Sequence, residues 1–155
     1  MRVTAKSDYA LRALIEMASR EGGSAGSAVS AEELGRAQGI PHGFLQAILA
    51  DLRKAGIVTS QRGPAGGWRL ARRADEVSVA DVARAVDGPL VSVHGLRPEA
   101  VTYNEHAEVL QHVWIAARDS LREVLEQVSI GQLADRALPE EVTVRTAREE
   151  AWQSH

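Results

Sequence analysis

A mainly α-helical fold carrying one small β-hairpin is the class this sequence predicts, and three observations predict it. Two short amphipathic segments, running to about Gln38 and onward from Pro41, meet across a very short turn at Gly39-Ile40. A glycine-rich, basic stretch, Arg62 to Gly67, separates two β-favouring runs. Further on, Leu110, Trp114, Ala117, Leu121, Val124 and Val128 recur at spacings of 4, 3, 4, 3 and 4, the seam of two helices packing side by side.

The first helix is expected from Thr4 to Ser19, with Leu11, Leu14, Ile15 and Ala18 on one face and Thr4 or Ser7 capping its start. Glu21 to Ser27 is rich in small residues without periodicity, hence a loop. Ser30-Ala31-Glu32-Glu33 spells a capping box, in which the hydroxyl and the carboxylate satisfy two free amides at a helix start. Gly39 suits the left-handed residue after that helix, and Pro41 suits the first turn of the next. The third helix buries Leu45, Ile48, Leu49 and Leu52, leaving His42, Gly43, Gln46, Ala47, Ala50 and Arg53 outward. Gly56 ends it; Ile57 to Gln61 and Trp68 to Leu70 read as the strands of a hairpin.

Ser78 to Val86 is a fourth helix, with Val79, Val82, Ala83 and Val86 inward and Gly88-Pro89 as its stop. Residues 90–105 form a loop that opens with a short strand at Leu90 to Val93. The seam predicts a helix from about Glu105 to Gln127, ~35 Å at 1.5 Å per residue, too long for one small domain to cover. Ser129 to Gln132 starts a short helix with another capping box, ended by Pro139. Beyond Pro139 the charged, aperiodic chain is expected to fray, with Trp152 available to dock. The organisation is thus 1–88, 89–137 and a flexible tail at 138–155.

With 155 residues and 45% hydrophobic content, the chain can bury an ordinary core. No apolar run reaches the ~18 residues of a membrane span, and Met1 to Thr4 lacks the apolar stretch of a signal peptide, so a cytoplasmic protein is expected. There is no cysteine, which excludes disulfides and any iron-sulfur cluster held by this chain's own thiolates. No P-loop, His-Glu-x-x-His or Gly-x-Ser-x-Gly motif is present, and an enzyme is not expected. The net charge of -3 hides an asymmetry: residues 1–88 carry 12 Lys and Arg against 10 acids, residues 89–155 carry 6 against 11. Arg53, Lys54, Arg62, Arg69, Arg72 and Arg73 lie between Asp51 and Asp75 with no acid among them, a basic patch suited to phosphate.

Helix, loop, helix, tight turn, helix and basic hairpin is the order of a winged helix-turn-helix, whose third helix enters the DNA major groove. Small residues at 43, 47 and 50 let that helix approach base edges, and Gln46 can make paired hydrogen bonds to adenine. His42, Gly43, Gln46 and Arg53 are the candidate contacts on the helix; Arg62, Gly63, Gly66 and Arg69 are those on the wing. An arginine on a narrow wing fits an A·T-rich minor groove.

These stretches together resemble the Rrf2 family of repressors, which includes iron-sulfur, nitric-oxide-sensitive and cysteine-metabolism regulators. Met1 to Leu11, Gly39-Ile40-Pro41 with Phe44-Leu45, Leu52 to Val58, and Arg62 to Leu70 carry the resemblance, which spans about residues 1–137. It implies a homodimer joined by the long helix, through Leu110, Trp114, Ala117, Leu121, Val124 and Val128, on a two-fold symmetric operator. It also implies base contacts at Gly43 and Gln46 and a wing arginine at Arg62. Cluster-binding members place three cysteines where this chain has residues 90–108 without one, and Asp8 matches an acidic ligand position in some of them. Without the cysteines, Asp8 reads as a helix-start carboxylate.

No cofactor is expected. His94, Glu105, His106, Glu108 and His112 are the residues from which a metal site would have to be built. A small-molecule effector near Trp114 and a docking protein are the other ways to supply a signal. Use of the fold as a protein-interaction module alone is the alternative to DNA binding, and the basic stretch argues against it.

Overall fold

The computed structural model describes residues 2–21 and 28–154, which hold seven α-helices and a two-stranded antiparallel sheet. In chain order these are α1 (Ala5–Glu21), α2 (Ala31–Gln38), α3 (His42–Lys54), β1 (Val58–Gln61), β2 (Gly67–Leu70), α4 (Val79–Asp87), α5 (Leu110–Leu125), α6 (Ile130–Ala134) and α7 (Glu140–Thr146). The loop expected at 21–27 lies, from residue 22 onward, outside the described residues.

α1 is the hub, packed against α2, α3, α4 and α6. Thr4 caps it, its hydroxyl accepting from the Ser7 amide at 3.0 Å. Its buried apolar residues are Ala10, Ala13, Leu14 and Met17, a step round from the expected face; Leu11, Ile15 and Ala18 are half-buried. The reason is crowding: where four helices converge, the centre of the contact goes to alanines that let backbones approach, and larger apolar residues fill its margins. α4 shows the same correction, with Ala80, Val82 and Val86 buried while Val79 and Ala83 are only half-buried.

The capping boxes form as spelled. Ser30 and Glu33 exchange hydrogen bonds at the start of α2, and Ser129 and Gln132 do so at the start of α6. α6 then folds back on the N-terminal unit. The Val79 amide donates to the Val128 carbonyl and the Ile130 amide to the Val77 carbonyl, both at 2.9 Å. Ile130 is fully buried in the core that holds Leu14, Leu34 and Leu49. The core of residues 1–88 is therefore completed from beyond α5.

Three expectations are corrected in the C-terminal half. No strand forms at 90–93 among the described residues; the chain reverses at His94-Gly95, both with positive φ (50° and 80°), leaving one bridge between Val93 and Leu96. α5 is 16 residues, about 24 Å, because residues 105–109 are spent in turns that Asn104 stabilises by accepting from the Ala107 amide. Pro139 does not end α6 but stands at the start of α7, where an aperiodic tail was expected. α7 is exposed and tethered to α5 by Arg145 to Glu123 at 3.6 Å. Trp152 is 77% exposed, and its indole N–H donates to the Thr146 carbonyl at 2.7 Å.

Candidate nucleic-acid interface

Local rules set the pitch of α3. Gly39 takes the left-handed conformation (φ 62°, ψ 38°), the Ile40 amide donates to the Gly35 carbonyl at 2.9 Å, and Pro41 precedes the first helical residue. Leu45, Ile48, Leu49 and Leu52 are each 0% exposed, so the roll of α3 about its axis is fixed from below. His42, Gly43, Gln46, Ala47 and Arg53 are consequently exposed; Ala50 is half-buried rather than outward. The Gln46 amide has no hydrogen-bond partner among the described residues. A Cβ at Gly43 would meet nothing within 4 Å, which leaves room for a base edge at that point.

A second tie holds α3 from its other end. The Lys6 ammonium on α1 donates to Asp51 on α3 at 2.6 Å and to the Val86 carbonyl on α4 at 2.8 Å. Thr4 and Ser7 donate to Asp87 at 2.5 and 2.6 Å, joining the same helix ends. The hydrogen bond and charge of Lys6 hold the Asp51 carboxyl below the usual carboxylate range. A depressed carboxylate stabilises the fold above its unfolded pKa and loses that contribution as pH falls through the folded value. Lys6→Met should move Asp51 up toward the ordinary range in an NMR-monitored pH titration, with Lys54 still acting on it, and weaken this acid-sensitive component of stability. An unchanged Asp51 titration would mean that Lys6 does not hold α3.

The wing is built on β1 and β2, with Val58 opposite Leu70, Thr59 opposite Arg69, Ser60 opposite Trp68 and Gln61 opposite Gly67. Val58 and Leu70 are buried and Arg69 is exposed, as strand alternation requires. Sequence reasoning missed Val29, which pairs with Trp68 through both backbone groups, at 2.9 and 2.8 Å, and so extends the sheet from the loop side. The signal lay in Gly67, whose missing side chain lets the two backbones approach: a Cβ there would stand 2.6 Å from the Val29 carbonyl oxygen. At the tip, the Gly66 amide donates to the Gly63 carbonyl at 2.9 Å, and Arg62, Gly63, Pro64 and Ala65 are exposed.

The six cations of the basic stretch divide into two groups. Lys54 pairs with Asp51 at 3.6 Å and Arg73 with Asp75 at 2.7 Å, so the acids flanking the stretch neutralise its two ends. Arg53, Arg62, Arg69 and Arg72 have no carboxylate partner among the described residues. Phe44, outside the candidate set, is also in the open: it is 54% exposed, with its ring centroid 6.0 Å from that of Tyr9.

Such a surface joins a small-residue helix face to unpaired arginines on a hairpin, and the comparisons with known proteins point the same way. The sequence profile of Rrf2, described as an iron-dependent transcriptional regulator, matches residues 3–136. The chain belongs to the Rrf2 family. A Mycobacterium tuberculosis protein assigned to the HTH-type transcriptional regulators is 43% identical over 142 residues, covering 92% of this chain and 86% of its own. The HTH-type regulator CymR of Bacillus subtilis is 29% identical over 134 residues, 86% of this chain and 90% of that one. Among solved structures, CymR, the global cysteine regulator of B. subtilis, superposes with a TM-score of 0.71 at 27% identity, covering 88% of this chain and 98% of that one. IscR of T. potens follows at 0.69 and 26%, covering 100% and 93%. This Rrf2 protein is a winged-helix DNA-binding transcription regulator, not an enzyme.

The iron of the family's description does not fit the donors present. The chain has no thiolate, and no three His, Asp or Glu residues among those described are grouped to hold a metal ion. His94 sits in the 93–96 turn, His106 and Glu108 in the turns before α5, and His112 at its start, all exposed. Glu105 is exposed in the same turns. Asp8 is exposed and pairs with Arg12 at 3.3 Å on its own helix.

Of the seam residues, Leu110, Trp114, Ala117, Leu121 and Val124 lie on α5, where none of the 16 residues, all described, is buried. Val128 lies beyond the helix and is only 6% exposed within its own chain. No helix among the described residues is long and apolar enough to cross a membrane.

Proposed function

We propose that this Rrf2 regulator is a cytoplasmic homodimer that represses transcription from a two-fold symmetric operator. Each α3 enters a major groove, the two half-sites lie ~34–36 Å apart, and each wing reaches a minor groove beside its half-site. His42, Gly43, Gln46 and Arg53 approach the DNA from the helix; Arg62, Gly63, Gly66 and Arg69 do so from the wing. What carries this reading is that, among the described residues, the exposed Gln46 amide has no hydrogen-bond partner and the exposed Arg53, Arg62 and Arg69 have no carboxylate partner. The dimer is supported by α5, whose Trp114, Ala117 and Leu121 form with Val91 and Val93 an apolar groove of about 640 Å³. Leu110 and Val124 continue the α5 contact beyond that groove.

Fluorescence anisotropy on duplexes from the protein's own upstream region tests the proposal. A palindromic fragment should bind far more tightly than random DNA at moderate salt, with log affinity falling steeply in log salt. Equal binding to random DNA would defeat the operator reading. Arg62→Ala should cost about 1–3 kcal/mol and relax an A·T preference at the flanking positions. If Arg62 touches phosphate alone, the loss is uniform across sequences and the salt slope drops by about 1.

A further inference from the structure

Away from the DNA face, four arginines from three stretches of chain converge on one cleft. Arg84 on α4, Arg97 in the following loop, and Arg118 and Arg122 on α5 line a space of about 550 Å³, floored by Gly88, Pro89 and Leu90. That volume is in the range of small-molecule sites. On α1 and α2 arginines pair one to one with a carboxylate, as Arg36 does with Glu32 and Arg20 with Glu16, both at 2.7 Å. Here the carboxylates are shared unevenly, and Arg97 reaches Glu99 through charge alone.

Glu99 accepts from Arg118 at 2.5 Å and is the lining carboxylate. Glu126, just outside, serves two arginines at once, Arg84 and Arg122, the latter at 3.0 Å. Asp81 lies 3.9 Å from Arg84, but one of its oxygens already accepts from the Ser78 amide that it caps. Asp119 acts on Arg122 through charge alone. Arg97 has no ion-pair or hydrogen-bond partner among the described residues. Each guanidinium carries five N–H donors, so most donors in the cleft lack a protein acceptor.

We infer that this cleft binds a small, multiply charged anion, a di- or tricarboxylate or a phosphorylated metabolite, through Arg84, Arg97, Arg118 and Arg122. Guanidinium forks suit planar carboxylate and phosphate oxygens. The site spans the junction of α4, which belongs to the DNA-binding unit, with α5. An anion there fixes the angle between them and, on the homodimer reading proposed above, the separation of the two α3 helices.

Titration calorimetry of the whole protein with citrate, inorganic phosphate or pyrophosphate, at ionic strength held constant with chloride, tests the site. One saturable site per chain is expected for at least one of these. Arg97→Gln and Arg122→Gln should each weaken it roughly tenfold, while Arg62→Ala/Arg69→Ala leaves it unchanged. Arg97 is exposed and makes no ion pair or hydrogen bond among the described residues, acting on Glu99 through charge alone, so its loss tests binding without disturbing the fold. No saturable heat with any of the three anions, full binding by the double variant R97Q/R122Q, or equal weakening by the wing variant would overturn the inference. It is equally overturned if R97Q lowers the salt slope of DNA binding in the absence of anion, since the cleft is then a DNA contact. Anion binding that leaves operator affinity unchanged refutes the coupling. A protein that binds anion as expected but is monomeric refutes the homodimer reading and not the site.

Discussion

Gly67→Ala should detach the wing from DNA while leaving the helical core folded. The added Cβ would stand 2.6 Å from the carbonyl oxygen and 2.7 Å from the carbonyl carbon of Val29. These are backbone atoms, which cannot swing aside as the end of a side chain can. The residue also holds φ at 145°, a value that side chains rarely permit. Relief requires breaking the two hydrogen bonds between Val29 and Trp68, and with them the attachment that aims β2 and its Arg69. Operator affinity should fall about 100-fold, comparable to losing two arginine contacts of ~1–3 kcal/mol each. Far-UV circular dichroism should keep its helical signal, because Leu14, Leu34, Leu45, Ile48, Leu49 and Ile130 of the core come from the helices, and the sheet itself adds only Val29, Val58 and Leu70 with Trp68 packed on them. Gly43→Ala is the control: its Cβ meets nothing within 4 Å and its backbone is helical, so thermal stability should hold or rise by up to ~1 kcal/mol. Unchanged operator binding by Gly67→Ala would show that the wing contributes little.

What could be read in advance was the chemistry that a residue conducts with its near neighbours. Ser30 with Glu33, Ser129 with Gln132, and Gly39 before Pro41 act within a few residues, so the bounds of α2, α3 and the start of α6 follow from spacing. Gln46 was legible because Leu45, Ile48, Leu49 and Leu52 leave it only one side of the helix. What was hidden depends on partners far along the chain. The inward turn of Ala10 and Ala13 is decided by four helices meeting α1, and the pairing of Val29 with Trp68 joins residues 39 apart. The basic stretch shows both sides: Lys54 with Asp51 and Arg73 with Asp75 are near neighbours that spacing could have paired, but only the fold brings Lys6, 45 positions away, onto Asp51. The arginine cleft was equally invisible, since its four members are separated by up to 38 positions and lie in a half whose net charge is negative apart from Arg84.

Leu121→Glu should convert the protein to a monomer and cost most of its operator affinity without unfolding it. Leu121 is half-buried on α5 beside Trp114 and Ala117, in the apolar groove closed on its other side by Val91 and Val93. It takes no part in the buried core, and glutamate is a good helix former, so α5 has no local reason to melt. In a dimer the new carboxylate would be enclosed, and Arg118, three positions earlier on the helix, is already held by Glu99, so the arrangement costs several kcal/mol per subunit and appears twice by symmetry. Sedimentation equilibrium should show a single-chain mass near 16.7 kDa. Operator affinity should fall by roughly 10²–10⁴, because the second half-site no longer benefits from tethering to the first. Binding to an isolated half-site should be unaffected, which separates loss of pairing from damage to α3 or the wing. The melting temperature should also lose its dependence on protein concentration, since folding is no longer linked to association. A variant that remains dimeric with full operator affinity would move the dimer contact off this part of α5 and return the groove lined by Trp114 to the search for a ligand.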